Sequence, residues 1–246
     1  MDSVFQTQVT LTDLHCDCFG RLKPASILFF VQEAAGGHCK QLQLDWHTLA
    51  QKNLFWAIIR HRVQISRVPT VGETILLQTW PMPTTRVAFP RSVVAYDADG
   101  NELFRSVSIW VLMDLQKRSM VLPAKSGILV PGVLRGNELP APASLTPMEL
   151  QNTTQRMVCF TDLDINGHMN NARYLDWVSD LLPASFHRHH HVRDMTLGYL
   201  SEAREGQLLQ LQFQAEENGT FDLEIRRREG DQEHRIFCAK IQYETM

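Results

Sequence analysis

Several absences narrow the class of this chain before any motif is read. No apolar run is long enough to span a bilayer: the most apolar window, Ala25–Ala35, is short and carries Gln32 and Glu33. The opening residues, Asp2 and Ser3 followed by the alternation of Val4-Phe5-Gln6-Thr7-Gln8-Val9, read as a strand and lack the charged and apolar regions of a signal peptide. Cysteine is scarce, with five residues at 16, 18, 39, 159 and 238. An odd count without a CxxC pair is a poor disulfide framework and fits a reducing cytosol. Positive charge is not in excess: the formal net charge is -3, which excludes a generally basic nucleic-acid binder. There is no GxSxG elbow, which disfavours a serine hydrolase of that type. The expectation is a soluble, cytoplasmic protein with no membrane insertion.

What is present is ordinary globular composition, 44% hydrophobic and 21% charged over 246 residues, enough for one large or two small domains. Pro24 opens an apolar run, Ile27, Phe30, Val31 and Ala34, at helical spacing. Gly36-Gly37 is expected to weaken or bend that helix, and Asp45 to cap a short turn through Lys52. From Leu54 the period changes to two, with strand-like runs at 74–80, 91–96 and 102–114 and a hairpin turn at Asp97-Ala98-Asp99-Gly100. Residues 132–154 hold Pro140, Pro142 and Pro147 among small and polar neighbours and read as a linker.

Beyond that linker the order recurs. A short strand is expected at 157–160 and a helix at 170–182, with Tyr174, Trp177 and Val178 on one face and Pro183 as its stop. Leu209, Leu211, Phe213 and Ala215 then alternate with glutamines, Asn218-Gly219 marks a hairpin, and Phe221, Leu223 and Ile225 line the next arm. A last strand follows the Glu229-Gly230-Asp231 turn. Placed without gaps, Asp17-Cys18-Phe19-Gly20-Arg21 lies opposite Asp164-Ile165-Asn166-Gly167-His168, which suggests internal duplication. The fold expected is α+β: two tandem hotdog domains, each an antiparallel sheet wrapped around a long helix, paired as a pseudo-dimer. Their bounds are 1–131 and 155–246.

The segment from Thr161 to Leu175 concentrates the chemistry. Asp164, Asn166 and His168 stand at alternate positions in a loop that feeds a helix, where backbone N–H groups are available to an oxyanion. Asp162, Leu163, Asp164, Asn166, His168, Asn170, Asn171 and Tyr174 together resemble the D-L-D-x-N-x-H-x-N-N-x-x-Y loop of the plant and bacterial acyl-acyl-carrier-protein thioesterases. That resemblance implies tandem hotdog domains with catalysis in the second, and hydrolysis of a fatty-acyl thioester carried on acyl carrier protein without metal or cofactor. It assigns catalysis to Asp164, Asn166, His168 and, through Tyr199-Leu200-Ser201-Glu202-Ala203, to Glu202. Ala203 departs from the cysteine often found there in the plant enzymes, so a cysteine nucleophile at that place is unavailable and the chemistry is read as water-based. Glu202 or His168 would take the proton from water, Asn166 would position that water or the carbonyl, and Asp164 would hold its neighbours.

Substrate contacts are expected from Asn170, Asn171 and Tyr174, and from Phe30 and Trp56 with Ile27, Val31, Ile58 and Ile59 in a first-domain acyl pocket. The first copy has Phe19 opposite Asn166 and Arg21 opposite His168, so one active site per chain is expected. Arg226-Arg227-Arg228 is a candidate docking patch for the acidic carrier, with a solvated strand edge as the rival reading. His187–His191 is read as a mobile surface loop ahead of a metal site. Association of two chains is left open. The rivals are an acyl-CoA thioesterase, a hotdog dehydratase, and a non-catalytic carrier-binding module.

Overall fold

The computed structural model describes residues 3–136 and 138–246. The chain divides into two compact units, Met1–Lys23 with Phe29–Pro142 and Pro24–Leu28 with Ala143–Met246. No helix among the described residues is long and apolar enough to cross a membrane.

The first unit contains strand β1 (Phe5–Thr10), helix α1 (Pro24–Gln41) from Phe29 onward, helix α2 (Trp46–Ala50) and strands β2 (Leu54–Ile65), β3 (Thr74–Pro81), β4 (Phe89–Tyr96) and β5 (Glu102–Asp114). A two-residue strand β6 (Met120–Val121) and a short helix α3 (Pro123–Ser126) complete it. The sheet runs β1-β3-β4-β5-β2, with every pair antiparallel and β6 on β5. Proline opens α1, and Ile27, Leu28, Phe30, Val31, Ala34 and Ala35 are all buried, so most of the helix surface is covered. Contrary to expectation, α1 runs unbroken through Gly36-Gly37 to Gln41. At Gly37 a Cβ would stand 2.7 Å from the Phe5 ring, so this glycine serves the close approach of β1 and not a bend. Asp45 caps α2 as expected, accepting from the His47 and Thr48 N–H groups. The Asp97–Gly100 turn joins β4 to β5, with the Asp97 N–H donating to the Asn101 carbonyl at 2.9 Å.

The second unit contains β7 (Asn152–Met157), α4 (Arg173–Asp180), α5 (Ala184–His189), β8 (His190–Tyr199), β9 (Leu208–Ala215), β10 (Thr220–Glu229) and β11 (Gln232–Thr245). Its sheet runs β8-β11-β10-β9-β7, again antiparallel. Leu209, Leu211, Phe221, Leu223, Ile225, Phe237, Ala239 and Ile241 are buried, as the two-residue period requires. The opposite face is covered locally too: Glu224 is fully buried between Arg226 and Arg235, and accepts from the Met148 N–H.

Three expectations need correction here. The strand placed at 157–160 is β7, shifted into residues assigned to the linker, and Phe160–Asp162 is a 3-10 turn. The helix is shorter than 170–182. The histidine tract is ordered secondary structure: the rings of His187 and His190 donate to the Ser179 and Phe186 carbonyls, and Phe186 stacks on His190. In each unit an antiparallel sheet and the helix before it give the hotdog architecture.

Candidate active site

The 3-10 turn Phe160–Asp162 is closed by Asp162 itself, whose side chain accepts from the Cys159 N–H at 2.9 Å. The chain then makes a tight loop. The Asp164 N–H donates to the His168 carbonyl at 2.8 Å, and the Gly167 N–H to the Asp164 carbonyl at 3.0 Å, with Gly167 at φ +73°. Asp164 Oδ1 accepts from the Asn166 N–H at 2.7 Å, so this carboxylate shapes the turn that presents Asn166 and His168. Leu163 and Met169 form a bridge at the neck of the loop, and the Met169 N–H donates to the Ala203 carbonyl at 2.9 Å. That last bond pins the loop to the segment after β8, beside Glu202. The outcome is a close pair: His168 Nε2 lies 3.1 Å from Glu202 Oε2, with His168 largely covered and Glu202 more open.

The first unit builds the same loop without the pair. Asp17 N–H donates to the Arg21 carbonyl, Gly20 N–H to the Asp17 carbonyl, Phe19 N–H to Asp17 Oδ1, and Leu22 N–H to the Pro69 carbonyl. Every one of these bonds repeats one in the second unit. The counterpart of Ala203 is therefore Pro69, and that of Glu202 is Val68. Where His168 meets Glu202, Arg21 instead lies 3.3 Å from Asp17 and 4.9 Å above the Phe19 ring. The backbone scaffold is duplicated; the imidazole and its carboxylate occur in the second copy alone.

Of the expected site residues, Asp164, Asn166, His168 and Glu202 are brought together in this loop and the segment it contacts. Asn170 is spent on local structure, since its Oδ1 accepts from the Ala172 N–H and its carbonyl from the Arg173 N–H. Those are the helix-entrance N–H groups expected to hold an oxyanion, so they are already committed. Asn171 lends its carbonyl to the Tyr199 hydroxyl at 3.2 Å. Tyr174 is buried, stacked on Phe237 at 4.6 Å, and burial pushes its phenol well above the usual range.

In the first unit Trp56 lines a cavity of about 220 Å³. Phe30 lies outside it, in the core and edge-on to His15 at 4.9 Å. The Arg226–Arg228 run is not an open cationic patch. Arg226 pairs with Glu224 and Glu233, and Arg227 with Glu229. One contact in that run was invisible in sequence: Arg227 Nη1 donates to the Glu202 carbonyl at 3.1 Å. Only the β9–β10 register, which aligns Arg227 with Leu209 just past the Glu202 turn, could have signalled it.

A family model described as the acyl-ACP thioesterase N-terminal domain matches residues 2–124, and one described as the acyl-ACP thioesterase C-terminal domain matches residues 146–244. Among curated proteins, the chloroplastic palmitoyl-acyl carrier protein thioesterase of Gossypium hirsutum is 28% identical over 200 residues, covering 75% of this chain and 48% of that protein. The chloroplastic dodecanoyl-acyl-carrier-protein hydrolase of Cinnamomum camphora is 24% identical, covering 75% and 52%. The chain thus spans about half the length of the curated relatives it matches. Among solved structures, an acyl-ACP thioesterase from Bacteroides thetaiotaomicron superimposes with a TM-score of 0.86 at 21% identity, covering 98% of each chain. A putative oleoyl thioesterase from Lactobacillus plantarum superimposes with a TM-score of 0.82 at 25% identity, covering 99% of this chain and 97% of that one.

Proposed function

Because the chain belongs to the acyl-ACP thioesterase family, we propose that it hydrolyses a fatty-acyl thioester on acyl carrier protein, releasing a fatty acid and the carrier's thiol. The observation that carries this reading is the contact of His168 with Glu202 in a loop whose twin in the first unit has neither residue.

With Glu202 ionised, the nitrogen that faces it must be the donor, so His168 carries its proton on Nε2 and Nδ1 is the acceptor nitrogen. Water gives a proton to this pair as its oxygen bonds to the thioester carbonyl carbon. The carbonyl oxygen takes the negative charge, and the Asn166 side-chain amide, at the exposed tip of the loop, is the donor proposed to receive it. Collapse of the intermediate breaks the C–S bond, and the proton held by the pair leaves with the sulfur. Asp164 acts through the backbone by fixing the turn. Asn171 is at most a peripheral contact, while Asn170 and Tyr174 act through the fold.

The domains proposed are a first one that shelters the acyl chain, with Trp56 in its cavity wall, and a second that carries the chemistry. All four catalytic candidates come from one unit, so a homodimer is not required to complete the site. The five cysteines are free thiols, which suits a reducing compartment such as the cytoplasm.

Thiol release from acyl-ACP substrates of increasing chain length, with acyl-CoA in parallel, tests the activity. Replacing His168 or Glu202 by Ala is expected to cost on the order of a hundredfold or more in turnover with the fold intact. Near-normal rates in both variants would overturn the assignment. Hydration of the acyl chain without thiol release would point to a dehydratase, and binding alone to a carrier-binding module.

A further inference from the structure

The cavity of the first unit holds a charge that its own residues do not neutralise. Four aromatic rings, those of Trp46, Trp56, Phe89 and Trp110, stand in its walls. The indole N–H of Trp56 is spent on the Leu44 carbonyl and that of Trp110 on Ser108 Oγ, so these two rings offer carbon surface to the space. Arg91, on β4, stands in the same wall and is only 6% exposed.

Its guanidinium contacts are all to neutral groups. Nη1 donates to His38 Nδ1 and to Thr79 Oγ1, both at 3.1 Å, and Nη2 approaches Cys39 Sγ at 3.9 Å. A nitrogen that accepts from arginine carries no proton of its own, and burial pushes the Cys39 thiol up, so neither supplies negative charge. Asp45 also borders the cavity, but its carboxylate is engaged by the His47 and Thr48 N–H groups and the Thr48 hydroxyl. Among the described residues no carboxylate pairs with Arg91. A second donor faces the same shortage: Gln32 Nε2, also in the cavity wall, is buried without a hydrogen-bond partner among the described residues. Buried charge and buried amide are costly unless an acceptor reaches them, and arginine does not escape by losing its proton.

We propose that this cavity binds an aliphatic chain ending in a carboxylate or another oxygen acceptor, with that terminus on Arg91 and Gln32. The aromatic walls take the methylenes and the guanidinium fork takes the oxygens. Two sources share this chemistry: a free fatty acid entering carboxylate first, and an acyl thioester whose far end is oxygenated.

Tryptophans in the wall supply the signal. Titrating the full chain with decanoate, 1-decanol and decylamine, followed by intrinsic fluorescence, should show saturable binding with decanoate favoured by about tenfold or more. Arg91→Met should abolish that preference while binding of 1-decanol persists. The wild-type series decides the matter even if the variant does not fold. Equal affinity for the three amphiphiles, or an undiminished decanoate preference in folded Arg91→Met, overturns the proposal.

Comparing decanoyl and ω-carboxydecanoyl thioesters then assigns the source. Faster hydrolysis of the ω-carboxy substrate indicates the chain end; competitive inhibition by decanoate without that preference indicates the free acid. Only this comparison rests on the thioesterase reading, so absence of hydrolysis would leave the fluorescence result standing.

Discussion

At the scale of single residues, Glu202 is held through both its carboxylate and its backbone carbonyl. Its carboxylate meets His168, and its carbonyl accepts from Arg227, whose Nε is itself 2.8 Å from Glu229 Oε1. Arg227 is thus a positioning residue. Arg227→Met should lower kcat by about tenfold to a hundredfold with little change in KM, because a small displacement of a catalytic group is costly. Arg227→Lys should recover part of the loss; equal kinetics in both variants, with only a lower melting temperature, would make the role purely structural. His61 makes a different claim. It is fully buried, its Nε2 is 2.7 Å from Ser106 Oγ, and burial lowers its pKa from 6.5 to about 3. The unfolded chain takes up this proton near pH 6.5 and the folded chain not until about pH 3. The stabilisation is therefore complete above the unfolded value and is lost as pH falls, by about 1.4 kcal/mol per pH unit across that window. In His61→Gln the denaturant midpoint should vary less between about pH 6.5 and pH 5, where most carboxylates remain ionised. An unchanged slope would show that His61 is protonated in the fold.

Elements were legible where one face meets the core and the other meets water. The alternation in β9 and β10 and the Asn218-Gly219 turn followed from sequence because burial there has a period of two. β7 was misplaced for the opposite reason: Asn152 to Gln155 and Met157 are exposed and mostly polar, so the strand has no pattern to read and is held by pairing with β9. α1 survives Gly36-Gly37 because packing outweighs a local propensity cost of about 1 kcal/mol per glycine. Gly219 is the element-scale test. It sits at φ +82°, its carbonyl accepts from the Tyr243 N–H, and a Cβ there would be 2.6 Å from the Tyr243 carbonyl oxygen. Backbone cannot yield as a side-chain tip can. Gly219→Ala should destabilise the protein by more than about 1 kcal/mol, measured by denaturant unfolding. A neutral result would mean that the β9–β10 hairpin can change its turn at no cost.

For the molecule as a whole, duplication explains why the scaffold was readable and where the chemistry lies. The gapless match of Asp17–Arg21 to Asp164–His168 is visible in sequence because both loops use an aspartate to accept an N–H group within the turn, as Asp17 does from Phe19 and Asp164 from Asn166. The match of Val68 to Glu202 is not visible in that register, since the helical segments between differ in length and shift the alignment. Hydrogen bonds recover it: Ser66 and Arg67 both donate to the Leu103 carbonyl, as Leu200 and Ser201 do to that of Ile236. The first copy therefore retains a turn whose stability comes from Asp17 and Arg21, with no base beside it. Arg21→Ala should lower the thermal midpoint by removing a partly buried ion pair, yet leave turnover within about threefold. His168→Ala should do the reverse, holding the midpoint while removing on the order of a hundredfold or more of the activity. If Arg21→Ala instead abolished thiol release in a folded protein, the first copy would have to supply a reacting group, and one active site built from the second copy alone would be the wrong description of this chain.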